Sequence, residues 1–204
     1  MKIKYTPQRS GETRLNVKGE VEFITFPALE GYPELMHAFS TRLGGVSAGD
    51  FRFMNLGRIE LDQRENVLEN YRIFCRAVGI PPENIVLSDQ QHTDNIKIAR
   101  KEDCGKGLFK ERDYEAIDGF ITNERGVALC LLYADCVPVY LYDPVNRAIA
   151  LVHAGWKGTC RQIAAKAVKM MGESYGTRPE DVTAVIAPSI CRSCYEVSID
   201  LYEA

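Results

Sequence analysis

From Gly119 to Val152 the chain passes through four apolar stretches, Gly119–Thr122, Val127–Tyr133, Val137–Tyr142 and Ala148–Val152. Runs without a polar alternation read as strands buried on both faces, and several in succession commit the chain to a covered sheet. The rest of the sequence supplies the cover. A helix is expected from Asp62, with Glu65 at the reciprocal position of a capping box. Its apolar residues Val67, Tyr71, Phe74, Cys75 and Val78 keep helical spacing, and Gly79 with Pro81-Pro82 stops it. A second helix starts near Gly158-Thr159, with Ile163, Ala164, Ala167, Val168 and Met171 as its buried stripe. Shorter strands are expected at Val21–Phe26, Met36–Ser40, Ile85–Leu87, Asn95–Ala99 and Val182–Ile186. Glu30–Pro33 is a turn, Thr41–Gly49 a glycine-rich loop, and residues 1–20 a weakly structured lead-in. The expected fold is a mixed α/β sheet with flanking helices, a single domain over residues 21–204.

Composition narrows the function classes. A formal net charge of -3 gives no electrostatic reason to expect nucleic acid or an anionic membrane as partner. No apolar run approaches the roughly 20 residues of a membrane span, and the polar start lacks the apolar core of a signal peptide. Seven scattered cysteines fit reduced thiols better than a disulfide framework, so a cytoplasmic location is expected.

Only three histidines occur, and each can be weighed. His153 follows a buried strand and precedes the glycine-bracketed turn Ala154–Gly158. Cys136 lies at the break between two apolar strands, and His92 follows a short strand. Strand ends are where α/β sheets place reactive groups. Converging there, two imidazoles and a thiolate suit zinc, with a fourth position left for water or substrate, and Asp135 is placed to orient a ligand or that water. The long separations are unlike those of zinc fingers. Two other readings stay open: ordinary buried residues, or a Cys136–His153 thiol-nucleophile pair with Asp135 as orienter. His37 falls within a strand-like run and reads as structural.

Seven segments, in order, resemble one family: His37–Ser47, Met54–Gly57, Gln90–His92, Asp118–Phe120, Ala134–Pro138, His153–Gly158 and Cys194–Val197. This is the YfiH-like or laccase-domain family, which includes purine nucleoside phosphorylases and peptidoglycan editing factors. The resemblance implies a zinc site of His92, Cys136 and His153. It also implies phosphorolysis of adenosine, inosine or methylthioadenosine, with adenosine deamination beside it, so a purine nucleoside and inorganic phosphate are the expected partners. Three histidines are too few for the multicopper centre that the laccase label suggests. An amidase editing cell-wall precursors and an inactive metal-binding module are the alternatives.

Arg42, beside Gly44 and Gly45, is the expected phosphate ligand, helped by Lys157 at a helix start. Trp156 either offers a face to a purine or packs a helix onto its sheet, and Gln90 and Asn55 either contact substrate or tie loops down. Three departures from the family pattern stand out. Gln91 replaces an apolar residue, and Cys191-Arg-Ser-Cys194 moves a cysteine, giving a C-x-x-C that reads as loop cysteines or as a redox pair. The chain also ends at Ala204, after an expected short helix from Ser198, where relatives continue. A shortened variant or fragment, lacking part of its C-terminal region, is therefore expected.

Overall fold

A two-residue turn at Gly19-Glu20, with Gly19 at a φ of +63° that favours glycine, folds Arg14–Lys18 (β1) back onto Val21–Thr25 (β2). The computed structural model describes residues 13–57 and 61–199. Residues 1–12 of the expected lead-in lie outside these, as does most of the expected helix at Ser198–Ala204. Within the remainder of the lead-in, Arg14–Lys18 form a strand. It escaped the periodicity reading because Leu15 and Val17 are exposed, so main-chain pairing rather than an apolar face holds β1.

The first compact unit is Met1–Ile80. After a short helix at Pro27–Glu30 (α1), its sheet is completed by Phe39–Ser40 (β3), in the order β1-β2-β3. Only this end of the expected Met36–Ser40 strand pairs. Helix α2 spans Arg64–Val78 and ends at Gly79 with φ +86°, as its stop signals predict. No capping box forms at its start. Asp62 instead accepts Ser47 Oγ at 2.7 Å and Asn55 Nδ2 at 2.9 Å, so it ties loops and does not cap. Val21, Phe23, Met54 and Ala77 form one core cluster of this unit. Gly44 and Gly45 are required by close packing: a Cβ on Gly44 would overlap the Glu20 carbonyl, and one on Gly45 the Phe53 carbonyl.

The second unit is Pro81–Ala204. Its strands are Ile85–Leu87 (β4), Ile96–Ile98 (β5), Gly119–Thr122 (β6), Ala128–Cys130 (β7), Val137–Asp143 (β8), Ala148–Ala154 (β9) and Thr183–Ile186 (β10). Five of them make one sheet, in the order β10-β8-β9-β6-β5. The short strand β7 leaves this sheet and pairs in parallel with β4. The expected second helix is two: Trp156–Cys160 (α3) and Ile163–Tyr175 (α4), separated at Gln162 by a left-handed φ of +58°. Ile163, Ala167 and Met171 of α4 pack on Ile121, Val139, Leu141 and Val152 of the sheet. The mixed α/β class is as expected. Among the described residues no helix is long and apolar enough to cross a membrane.

One buried carboxylate lies beyond the β5 edge. Asp103 accepts Lys106 Nζ at 2.8 Å, the Arg100 N–H at 2.9 Å and Lys97 Nζ at 3.0 Å. Burial alone would raise its pKa, but those donors hold it below the ordinary carboxylate value. A group held low in the folded state stabilises it above the unfolded pKa near ~4 and loses that contribution as acid protonates it. Asp103→Asn should therefore cost about 2–3 kcal/mol in urea unfolding at neutral pH, and the gap from the native chain should close below about pH 4.

Candidate metal centre

Antiparallel pairing sets the frame. β9 lies between β6 and β8 and runs against both, so its end meets their beginnings. His153, next to last in β9, is registered opposite Pro138, and Cys136 precedes β8 by one residue. Asp118 precedes β6, and its carbonyl accepts the His153 N–H at 2.7 Å. The fourth participant comes from a loop: His92 follows the bridge between Asp89 and Ile117.

The donor atoms of His92, Cys136 and His153 all lie within 4.8 Å of one another. Such a cluster can hold a metal ion. The two imidazoles meet edge to face, with centroids 4.8 Å apart. Exposure is graded: His92 is exposed, Cys136 half-buried, and His153 only 4% exposed. The Gly155 site adjoins all three. A Cβ there would lie 3.0 Å from His92 Cδ2, and 3.4 Å from both Cys136 Sγ and His153 Cε1. Its φ of -64° is open to any residue, so space and not backbone conformation calls for glycine. Burial, then the charges of Asp135 and Asp118, push the Cys136 thiol up.

One carboxylate organises the histidines, and it is Asp118 rather than Asp135. Asp118 is fully buried. Its Oδ1 lies 2.8 Å from His153 Nδ1 and accepts the His92 N–H at 3.1 Å. Its Oδ2 accepts the Thr93 N–H and hydroxyl, both at 2.8 Å, and the Gln91 N–H at 3.2 Å. Burial would raise its pKa, but these bonds, led by that with His153, bring it to about 2. With Nδ1 committed, Nε2 is the free donor of His153. Asp135 is exposed, and its main-chain carbonyl accepts the Ile190 N–H at 2.9 Å. Asp118 was visible only as part of a family segment. A role shared among residues 91–93 and 153 leaves no local pattern.

The other sequence-stated residues are distributed as follows. Gln90 spends its amide on Leu132, donating to its carbonyl at 2.6 Å and accepting its N–H at 2.7 Å. Asn55 donates to Asp62 and accepts the Gly57 N–H. Both amides tie loops, the second of the two readings stated for them. Arg42 is exposed in the first unit, with Nη2 donating to the Arg52 carbonyl at 2.9 Å. Trp156 and Lys157 open α3 on the exposed side, the ammonium 5.4 Å from the indole centroid. His37 accepts the Phe26 N–H at 2.9 Å and stacks on its ring, and burial lowers its pKa, consistent with its structural reading.

Residues 36–204 match the family described as multi-copper polyphenol oxidoreductase laccase. The chain is 38% identical over 175 residues to the purine nucleoside phosphorylase YlmD of Bacillus subtilis, covering 84% of this chain and 62% of that protein. It is 32% identical over 191 residues to a purine nucleoside phosphorylase of Bacteroides thetaiotaomicron, covering 93% and 71% of the two. The crystal structure of Bacillus licheniformis hypothetical protein YfiH superposes with a TM-score of 0.84 at 33% identity, over 94% of this chain and 70% of that one. The chain thus spans under two thirds of the first of these relatives.

Asp118→Asn keeps the shape but places an amide against donors on both sides. It should lower metal affinity by roughly 10- to 100-fold in competition with a chromophoric chelator. In the metal-free protein it should also cost about 2–3 kcal/mol of stability. Unchanged metal affinity would mean that His153 is oriented by another group.

Proposed function

The chain belongs to the laccase-like, YfiH-type family, and we propose that it is a zinc-dependent purine nucleoside phosphorylase taking adenosine, inosine or methylthioadenosine. The observation that carries this reading is the convergence of one thiol and two imidazoles on a point bordered by Gly155, with His92 exposed. Two relatives named purine nucleoside phosphorylases support the reaction class.

The donors fit zinc, which accepts mixed nitrogen and sulfur ligands and keeps a fourth position open with three protein donors. An array of several coppers fits poorly. His37 is committed to Phe26, which leaves two imidazoles, enough for one ion. Zinc bound there supplies a Lewis acid that polarises substrate or activates water.

The chain's own groups position the reactants. Asp118 holds His153 with Nε2 free, and its bonds to residues 91–93 hold His92. Lys157 offers a cation to the phosphate and Trp156 an apolar face to the purine, both exposed just beyond Gly155. In phosphorolysis a phosphate oxygen attacks C1′ of the ribose. The bond from C1′ to the base nitrogen breaks, and its electron pair leaves with the purine. Ribose 1-phosphate and free base result. In the accompanying deamination water attacks C6 of adenosine, the bond from C6 to the exocyclic nitrogen breaks, and ammonia leaves to give inosine.

Base release should therefore require inorganic phosphate and yield ribose 1-phosphate in equal amount. Cys136→Ala and His153→Ala should each remove most of the bound zinc and lower turnover by more than about 100-fold. Phosphate-independent base release would replace the phosphorylase with a hydrolase. An amidase of cell-wall precursors would leave nucleosides untouched, and a bound copper with an intense thiolate charge-transfer band would overturn the zinc assignment.

A further inference from the structure

Three of the seven cysteines are exposed, and two of those, Cys191 and Cys194, share one turn after β10. Their Sγ atoms are in hydrogen-bond contact at 3.2 Å. Two intervening residues and an Sγ contact are what an intrachain disulfide needs, since thiols whose side chains diverge cannot be bridged without moving backbone.

The turn is anchored where it begins and closed by its own main-chain bonds. Beyond β10 the chain keeps its pairing with the start of β8: the Ala187 N–H donates to the Pro138 carbonyl at 3.0 Å and the Ile190 N–H to the Asp135 carbonyl at 2.9 Å. The Cys191 carbonyl then accepts the N–H groups of Cys194 at 3.0 Å and Tyr195 at 3.1 Å. The two thiols therefore meet in a turn set by main-chain bonds and face solvent, where a small oxidant reaches them.

We propose that Cys191 and Cys194 form a redox-active dithiol, closed to an intrachain disulfide by low-molecular-weight disulfides. The Cys191 thiolate attacks one sulfur of the small disulfide RSSR. A protein–SR bond forms, the S–S bond breaks, and one RS⁻ leaves and takes up the proton that Cys191 lost. The Cys194 thiolate then attacks Cys191 Sγ, expels the second RS⁻, and its own proton ends on that thiol. The dithiol is oxidised by two electrons and RSSR is reduced to two RSH.

The roles of the two cysteines follow from their surroundings. The contact with the Cys194 sulfur, then the N–H groups of Cys194 and Ser193, draw the Cys191 thiol down, while Cys191 pushes Cys194 up. Cys191 is accordingly the attacking thiol and Cys194 the resolving one. Nothing in this chemistry depends on the nucleoside reading.

The test uses the reduced, full-length, metal-loaded chain and oxidised glutathione, followed by alkylation of remaining thiols and peptide mass analysis. Cys160, the third exposed thiol, is the internal reference. The peptide carrying Cys191 and Cys194 should lose two hydrogens and escape alkylation at least about tenfold faster than Cys160 is modified. Cys194→Ser should stop at a glutathione adduct on Cys191, and Cys191→Ser should abolish the fast phase. Both lie on an exposed turn, so zinc content and the thermal midpoint should match the native chain. A native chain that accumulates the glutathione adduct without closing overturns the proposal. So does a pair that reacts no faster than Cys160. Phosphorolysis is not read at any point, so a failed nucleoside assignment leaves this result standing.

Discussion

A carboxylate removed from water must recover its hydration from the protein, and Asp118 does so with five hydrogen bonds. Every donor belongs to the candidate centre or to the loop that carries it. The bond to His153 Nδ1 fixes which ring nitrogen faces the cluster. The bonds to the N–H groups of Gln91, His92 and Thr93 wrap that loop around the carboxylate and hold His92 at a φ of +57°. A left-handed residue other than glycine costs about 1 kcal/mol or more, and the wrapped carboxylate offsets it. With its pKa brought to about 2, Asp118 is charged at neutral pH.

This carboxylate sits where it does because of strand direction. Were β9 parallel to its neighbours, His153 would lie at the far end from Asp118 and Cys136. The register His153 opposite Pro138, with Val152 opposite Gly119, brings the three segments to one edge. Packing then keeps them there. Met171, Ala167 and Ile163 of α4 press on the strands beneath, and Ile163 stands at the end of α4 nearer the site. A Cβ on Gly158 would lie 3.2 Å from the Thr93 carbonyl oxygen and 3.4 Å from that of His153, so α3 also leans on main chain from both histidine segments. Core and site are one construction in the second unit.

These relations explain what could be read from the chain directly. Helices α2 and α4 and the central strands carry their own apolar faces, and Val67, Tyr71, Ile163 and Met171 are as buried as their spacing implies. The ends of elements were less legible. Glu65 stood in the right place for a capping box, but Arg72 takes its carboxylate and Asp62 is engaged by Ser47 and Asn55. His153 was placed just after its strand and lies within it. The three candidate ligands were legible because so few histidines exist and each adjoined a strand. Adjacency to Cys136 points to Asp135 as a group beside the site, whereas the hydrogen bonds that hold both histidine segments reach across residues 91–153 to Asp118. Adjacency in sequence is a poor guide when a buried charge must gather its donors from three segments.

The centre is also asymmetric, and the asymmetry bears on how it works. His153 is closed in, its ring held by Asp118 on one side and tilted against Tyr133 at 5.7 Å on another, while the Tyr133 hydroxyl is spent on the Val152 carbonyl. His92 is exposed, and the bond that places it acts on its main chain. Its ring meets His153 edge to face on one side and solvent on the other, so in the proposed enzyme the incoming reactant would approach on the His92 side. The buried imidazole and half-buried thiol form the fixed floor. A thiol nucleophile working without metal would use the same carboxylate-held imidazole, with Asp118 fixing His153 Nδ1 and Nε2 serving as the base, so metal content and not hydrogen bonding separates the two chemistries.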